Sequence, residues 1–555
     1  MVFRNQTKLI MKTRLHTLFC SLFLLPAAFG QNSLFLKTLG ETAGTEEMEV
    51  VLETADGNIF VAGMTSSFGA GDDEGLVLKT DLNGTVLWAK TYGSSGNDMF
   101  IDAKQTQDGG YIVAGWTESF GASGYDCWVV KLDSDGDLVW EKRYGGSGDE
   151  QAWSINETST GYFMVAGTNS FGAGLTDIWV LDLDATGNIN WQKTYGSTGD
   201  DAPPGPYVEY VARGFVDTDG DYMISGLTDG MGAGGFDIWL AKLNPANGNI
   251  IWENAYGDTD DEAFWNIVEN PSGGYYLPGN ITNPSNGYEP DLWVVQLDTD
   301  GNINWQKSFG IADVWDEALN AATLSNGDLL LASYYESDEW DWSASTMKVD
   351  ASGNLGWANI YKTGQLDWTN AVTALSDGTI AHVGVTTYDT ISWDDDFLFI
   401  RTDEMGEVGT CDEITAFVPD VITTSAVKTS TSAAVTTTSV SGVTTTSTQG
   451  NPTLIEDVYC DEPVSIAENG ALSFVTVYPN PANDFVMVQY YMQEAGALKL
   501  ELTDVNGRQI SVYKTEKNSG LWEERYPLDN LAAGVYYLRL STSNSIVTQK
   551  VVLRP

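Results

Sequence analysis

Asp108-Gly109-Gly110-Tyr111-Ile112-Val113-Ala114-Gly115, then Asp126-Cys127-Trp128-Val129-Val130-Lys131-Leu132-Asp133, then Trp140-Glu141-Lys142-Arg143-Tyr144-Gly145, is one copy of a unit that recurs through most of this chain. Runs rich in β-branched and aromatic residues read as short strands, and the Asp and Gly clusters between them supply the positive φ of tight hairpins. The copy divides into four strands, about 99–106, Tyr111–Trp116, Cys127–Leu132 and Leu138–Tyr144. The tryptophan of the last strand returns at Trp88, Trp140, Trp191, Trp252, Trp305 and Trp357, spaced 52, 51, 61, 53 and 52 residues apart. Phe35 holds the same place 53 residues before Trp88.

Four short strands in a tandem unit of about 50 residues are the mark of a β-propeller. Seven copies of the first three strands lie at roughly 41–85, 94–137, 146–188, 197–249, 258–302, 311–354 and 363–407. The seventh ends at Asp403 with no Trp-x-Lys strand after it, whereas Leu34–Gly40 precedes every first strand. The N-terminal strand is therefore expected to complete the seventh blade, which removes the open sheet edges. The predicted fold is all-β: a seven-bladed β-propeller over 31–408 with N-terminal strand closure, then a linker and a small C-terminal β-sandwich. Over about 33–408 the repeat resembles that of seven-bladed propellers in secreted bacterial proteins. That resemblance implies a fold, and propellers carry many activities.

The flanks read differently. Residues 1–30 combine Arg4, Lys8, Lys12 and Arg14 with an apolar run ending Ala27-Ala28-Phe29-Gly30, the pattern of a secretory signal peptide. No later segment is apolar for long enough to span a membrane as a helix. Residues 409–465 are expected to be a Thr/Ser-rich linker, an extended stalk. Spaced valines between Ile422 and Gln449 also permit a strand or two in a small β module, the reading that a Cys411–Cys460 disulfide would favour. Residues 466–555 alternate like a small antiparallel sandwich. They carry Val477-Tyr478-Pro479-Asn480-Pro481 near the start, Gly534-Val535-Tyr536-Tyr537 further on, and Lys550-Val551-Val552-Leu553 at the end. In that order these motifs resemble the type IX secretion (Por) C-terminal sorting domain of Bacteroidetes. The resemblance gives Pro479, Asn480, Pro481, Gly534, Tyr536 and Lys550 a sorting role and makes the type IX machinery a partner. It implies a protein that is secreted or attached to the outer-membrane surface.

The formal charge is −50. Almost all of the acidity lies before Ile466, where residues 31–465 hold 15 basic against 68 acidic side chains. Such a surface repels nucleic acid and anionic lipid and favours divalent cations, basic partners or solubility.

Candidate sites follow from the repeat and from its departures. Acidic pairs recur before each first strand, and Asp98, Asp149, Asp201, Asp261 and Asp316 are the metal candidates, set as a ring near one channel mouth; calcium fits such oxygens. The plainer reading is that each caps a turn. The Asp-x-Asp-Gly turns, such as Asp133-Ser134-Asp135-Gly136, lack the spacing of an EF-hand loop and read as simple turns. Tyr207 and Tyr210 sit in a longer fourth unit, Trp340 and Trp342 replace the usual loop of the sixth, and Trp393 and Asp395 that of the seventh. Aromatic and acidic side chains on one rigid rim suit a glycan or a protein segment. His382, within a strand, offers little to a metal site or a catalytic triad. The expected function is a non-catalytic binding or adhesion module for glycan or surface protein, with no cofactor beyond calcium. The alternatives are a carbohydrate-active enzyme using paired carboxylates at the channel mouth and a calcium-stabilised structural surface protein.

Overall fold

The computed structural model describes residues 33–553 except 41–43, 122–123, 203–211, 283–289, 312–313, 339–340, 388–394, 410, 412, 439, 441, 451, 453, 464–471, 479–484, 493–494, 505–507, 529–530, 533 and 543–545. The expected signal peptide lies outside the described residues. These fall into two compact units, Asn32–Val464 and Ser465–Pro555. Both are built from β-strands, and no helix among the described residues is long and apolar enough to cross a membrane.

In the first unit each sequence repeat forms one antiparallel sheet. The first contains Glu46–Glu53, Ile59–Thr65, Glu74–Thr80 and Val86–Gly93; the second Asp98–Gln105, Tyr111–Thr117, Asp126–Leu132 and Leu138–Tyr144. Five more follow in order, their first strands beginning at Glu150, Arg213, Glu262, Trp315 and Leu366. The sixth and seventh are joined by a single parallel pair, Trp342 with Leu366. In the seventh, Asp395–Thr402 pairs with the N-terminal strand Ser33–Gly40 in the register Phe35 to Arg401 and Leu39 to Phe397. Each first strand packs on the sheet before it, and that of the first sheet packs on the seventh. First strands from all seven sheets line one cavity of about 680 Å3.

The recurring Trp-x-Lys-x-Tyr side chains join neighbouring sheets. Tyr144 donates to the Gly187 carbonyl in the next sheet's hairpin turn at 2.6 Å, and Tyr256 to that of Gly301 at 2.7 Å. Trp191 and Trp305 donate to Pro245 and Ala351 carbonyls of the following sheets at 2.9 and 3.1 Å. Lys142 and Lys193 reach Asn188 and Asn249 of the same turns. Glycine is required there: Gly136 and Gly187 have φ of 75°, and a β-carbon on either would meet the preceding sheet's tryptophan. The Asp-x-Asp-Gly segments are turns, since Asp133 Oδ1 accepts from the Asp135 and Asp137 amides at 3.0 and 2.8 Å.

The expected linker at 409–465, and the boundary at 408, must be corrected. The segment is a belt that adds an outer strand to every sheet, visiting them in reverse order. Ile414–Ala416 pairs with the sixth sheet, Asp420–Thr423 with the fifth, Val427–Ser430 with the fourth and Ala434–Thr437 with the third. Val443–Thr444, Thr448–Gly450 and Ile455–Pro463 follow on the second, first and seventh. The outermost strand of each sheet would otherwise present unpaired main-chain groups. Thr and Val, strand formers with small side chains, meet that need. Cys411 and Cys460 are joined, so the belt's end is bonded to its start.

Specific contacts set the belt's register. Thr424, Thr431 and Thr438, seven residues apart, accept from the buried indoles of Trp293, Trp239 and Trp179 at 2.9, 3.1 and 3.1 Å. In the fifth, fourth and third sheets the residue after the fourth-strand tryptophan holds the belt's main chain: Gln306 binds Ala426, Glu253 binds Ala433, and Gln192 binds the Val440 carbonyl. Thr438→Val leaves the fully buried Trp179 indole without an acceptor and should cost about 1–3 kcal/mol in a denaturant titration.

In the second unit, a three-stranded sheet (Leu472–Tyr478, Phe485–Met492, Gly520–Pro527) and a four-stranded sheet (Gly496–Asp504, Gln509–Lys517, Gly534–Ser541, Ile546–Leu553) share one apolar core. Val486, Val488 and Tyr490 come from the first, and Leu498, Leu500, Leu538 and Val551 from the second.

Candidate functional site

An aromatic cluster occupies one end of the sixth and seventh sheets. Tyr334 and Trp342 stand diagonally on adjacent strands, paired with Ala344 and Glu336, and stack with ring centroids 5.0 Å apart and planes 19° apart. Trp368, on the seventh sheet's first strand, meets Trp342 edge-on at 6.0 Å. Glu317 ties the cluster together, accepting from the Tyr334 hydroxyl and, at 3.1 Å, from the Trp315 indole. Trp315 is 37% exposed, so the cluster reaches solvent. The Trp342 indole N–H is buried without a partner.

The cluster leads to charged groups of the first strands. Glu47 accepts from the Trp368 indole and from Asn370 Nδ2, the latter at 3.3 Å. Asn370 also donates to Glu49 at 2.9 Å. Burial, then the neighbouring Glu47, push the Glu49 carboxyl well above its usual range, with the Arg213 guanidinium opposing. Glu47 is raised too, chiefly by burial and with Asp395 adding to it. Asn370 Nδ2 thus bridges the two glutamates. Arg213 lies in the same cavity and donates to the Trp153 and Trp265 carbonyls. Lys104 bonds Asp102 at 2.6 Å, and Asp102 also accepts from the Ile155 amide.

Of the expected binding residues, Trp342 and Asp395 lie at this end of the two sheets. Asp395 accepts from Thr387 and, at 3.5 Å, from Thr45, and its amide donates to the Gly44 carbonyl. Tyr207, Tyr210, Trp340 and Trp393 lie outside the described residues. Pattern reading missed Trp315, Trp368, Glu49 and Asn370. Trp315 and Trp368 were detectable, since each stands beside an acidic pair position where the other units carry no tryptophan.

The expected ring of carboxylates at the channel mouth needs correction. Asp98, Asp201 and Asp316 occupy one repeat position and are buried, but in the third and fifth units that position belongs to Glu150 and Glu262. Asp149 and Asp261 stand one residue earlier and accept from the Tyr125 and Phe236 amides at 3.0 and 2.9 Å. The buried position faces the preceding sheet: Asp98 accepts from the Ser94 amide, Asp201 from that of Ser197 and Asp316 from that of Ile311. Burial raises Glu262 to about 9 and Asp316 to about 8. His382 is a packed strand residue between Thr346 and Thr402 at 2.9 and 3.1 Å, and burial lowers its pKa to about 3. Cys127 is buried, and burial pushes its thiol well above the usual range.

In the second unit, Gly534 begins a strand, Tyr536 donates to the Ala532 carbonyl at 2.7 Å, and Lys550 pairs with Tyr537. Pro479, Asn480 and Pro481 lie outside the described residues.

Among solved structures, the chain is similar to a protein titled glycoside hydrolase at 12% identity, covering 81% of this chain and 96% of that one, with a TM-score of 0.26. It is similar to a family 43 arabinoxylan arabinofuranohydrolase from Bacillus subtilis at 10% identity, covering 92% and 96%, with a TM-score of 0.25. A mannose phosphorylase from Leishmania mexicana matches at 10% identity over 47% of this chain and 81% of that one, with a TM-score of 0.24. At such scores neither fold nor activity carries over. No curated protein matches the sequence. Residues 476–554 match the family model of the secretion system C-terminal sorting domain; the chain thus carries a type IX sorting tail, and the protein is secreted or attached at the outer-membrane surface.

Proposed function

We propose that the first unit is a closed seven-bladed β-propeller, carried out of the cell by a small β-sandwich tail, and that it binds a glycan without transforming it. The observation that carries this reading is the stacked Tyr334–Trp342 pair adjoining Trp315, Trp368 and three glutamates. Sugar rings present apolar faces that stack on aromatic side chains, and their hydroxyls bond to carboxylates and amides at the edges. Glycosidases hold their two carboxyl groups about 5–5.5 Å apart, or 6.5–9.5 Å apart with an intervening water. Asn370 Nδ2 donates to both Glu47 and Glu49, at 3.3 and 2.9 Å, and so occupies the space that a glycosidic bond between them would need. This favours holding over hydrolysis.

Glycan-array binding by the mature chain tests the reading. Trp342→Ala and Trp315→Ala should each weaken the strongest hit by roughly tenfold, the loss of about 1–2 kcal/mol expected of an aromatic contact. Binding unchanged in both variants would contradict it. Turnover of any polysaccharide, lost in Glu47→Gln, would replace it with the enzyme reading.

A further inference from the structure

Where the fourth strand of one sheet passes to the first strand of the next, a glycine lies against two buried carboxylates. At Gly93 these are Glu74 and Asp98, at Gly196 Asp177 and Asp201, and at Gly257 Asp237 and Glu262. One carboxylate comes from the third strand of a sheet and the other from the first strand of its neighbour or, for Asp201, from the segment that leads to it. A β-carbon on any of the three glycines would collide with the carboxylates, so the missing side chain keeps their shared space open.

All six carboxylates are at most 1% exposed. Main-chain amides hold one oxygen of each: Ala70 and Gly71 bind Glu74 Oε1, Ala173 and Gly174 bind Asp177 Oδ2, and Ala233 and Gly234 bind Asp237 Oδ2. The amides of Ser94, Ser197 and Asp258 do the same for Asp98, Asp201 and Glu262. The other oxygen of every one of the six is buried without a hydrogen-bond partner. For Glu74, Asp177 and Asp237 that orphaned oxygen is the one beside the glycine. An unpaired carboxylate oxygen turned toward a neighbouring carboxylate in one dry space is strongly unfavourable unless something positive joins them.

At two other junctions a basic side chain reaches the carboxylates, Arg143 the third-strand one and Lys362 the first-strand one together with the half-exposed Asp341. Between the second and third sheets, Gly145 lies against Asp126 and Glu150, and the Arg143 guanidinium donates to Asp126 at 3.1 Å. Between the sixth and seventh sheets, Lys362 replaces the glycine. Its ammonium lies 2.7 Å from Asp341 and 3.9 Å from Asp367. Where the chain supplies a cation from its own side chains, the cation goes to this spot.

We propose that three of the junction spaces, at Gly93, Gly196 and Gly257, each bind a calcium ion that bridges adjacent sheets. The donors are oxygens alone, with no thiolate or imidazole beside them, which selects a hard cation. Calcium tolerates the irregular geometry of two carboxylates on different strands and fills the rest of its shell with carbonyls and water. The position differs from the exposed acidic turns at Asp149 and Asp261, and the inference does not depend on glycan binding.

The mature chain, stripped with chelator and titrated with CaCl2, should bind three ions by calorimetry. Its Tm should rise by roughly 5–10 °C at saturating calcium. Asp177→Asn with Asp201→Asn should reduce the count to two, and Asp261→Asn should leave it at three. Gly196→Lys, which puts a side chain and its ammonium into that space, should also reduce the count to two. No binding heat and an unchanged Tm in the parent at millimolar calcium would overturn the proposal.

Discussion

Removing residues 31–40 should leave a protein with no cooperative unfolding transition. The strand Ser33–Gly40 lies inside its sheet, with Asp395–Thr402 on one side and Ile455–Pro463 on the other. It buries Leu34, Phe35, Leu36 and Leu39, each at most 9% exposed. At about 1.5–3 kcal/mol per buried side chain the loss approaches the whole stability of an ordinary domain, about 5–15 kcal/mol. Arg401 would lose an anchor as well, because its guanidinium bonds the Ser33 carbonyl at 2.8 Å together with that of Leu82 in the first sheet's hairpin. Phe35→Ala is the graded version. Phe35 packs edge-on against Phe399 at 4.9 Å, and its truncation should cost about 3–5 kcal/mol by chemical denaturation. A truncated chain that melts like its parent would contradict the assignment of this strand to the seventh sheet.

The second large effect belongs to the disulfide. Cys411 and Cys460 are 49 residues apart in sequence, and the segment between them passes along every sheet. Cross-linking a loop of that length restricts the unfolded chain by about 4 kcal/mol in the chain-entropy account. The double variant Cys411→Ser with Cys460→Ser should lose stability of that order by denaturant titration. It should also be cut faster by protease between residues 414 and 450, while the inner strands stay intact. The belt strands are only two to four residues long from Ile414 to Gly450, so each alone is weak. Equal stability and equal cleavage would mean that main-chain pairing and the threonine–indole bonds hold the belt without the cross-link.

The repeat was legible because its physics is local. Asp-Gly turns, alternating strands and a recurring tryptophan each leave a mark within about ten residues, and the repeat multiplies that mark. The N-terminal closure was legible as a count of strands, one missing at the end and one spare at the start. The belt was not. Its strands are too short for an alternating pattern, and their partners lie as far as 419 residues away, as Lys37 and Glu456 do. A faint signal was present in Thr424, Thr431 and Thr438, whose seven-residue spacing matches one step from sheet to sheet. The buried carboxylates were half legible. The acidic pairs were visible, but which member turns inward depends on strand register, and a shift of one residue exchanges the faces. The partner carboxylates Glu74, Asp177 and Asp237 lie in the repeat's third strand, and their meeting with the next sheet is a matter of packing alone. The aromatic cluster is likewise tertiary, since Trp315, Tyr334, Trp342 and Trp368 come from four strands.

Hydrogen–deuterium exchange of the chain, followed by peptide mass spectrometry over 411–463, tests the belt on the sheets of the first unit most directly. Amides of Asp420–Thr423, Val427–Ser430 and Ala434–Thr437 should be protected far beyond the intrinsic rate, despite their Thr- and Ser-rich composition. Exchange of this whole segment at the rate of an unstructured peptide would mean that it is a free stalk and that the sheets keep their outer edges bare.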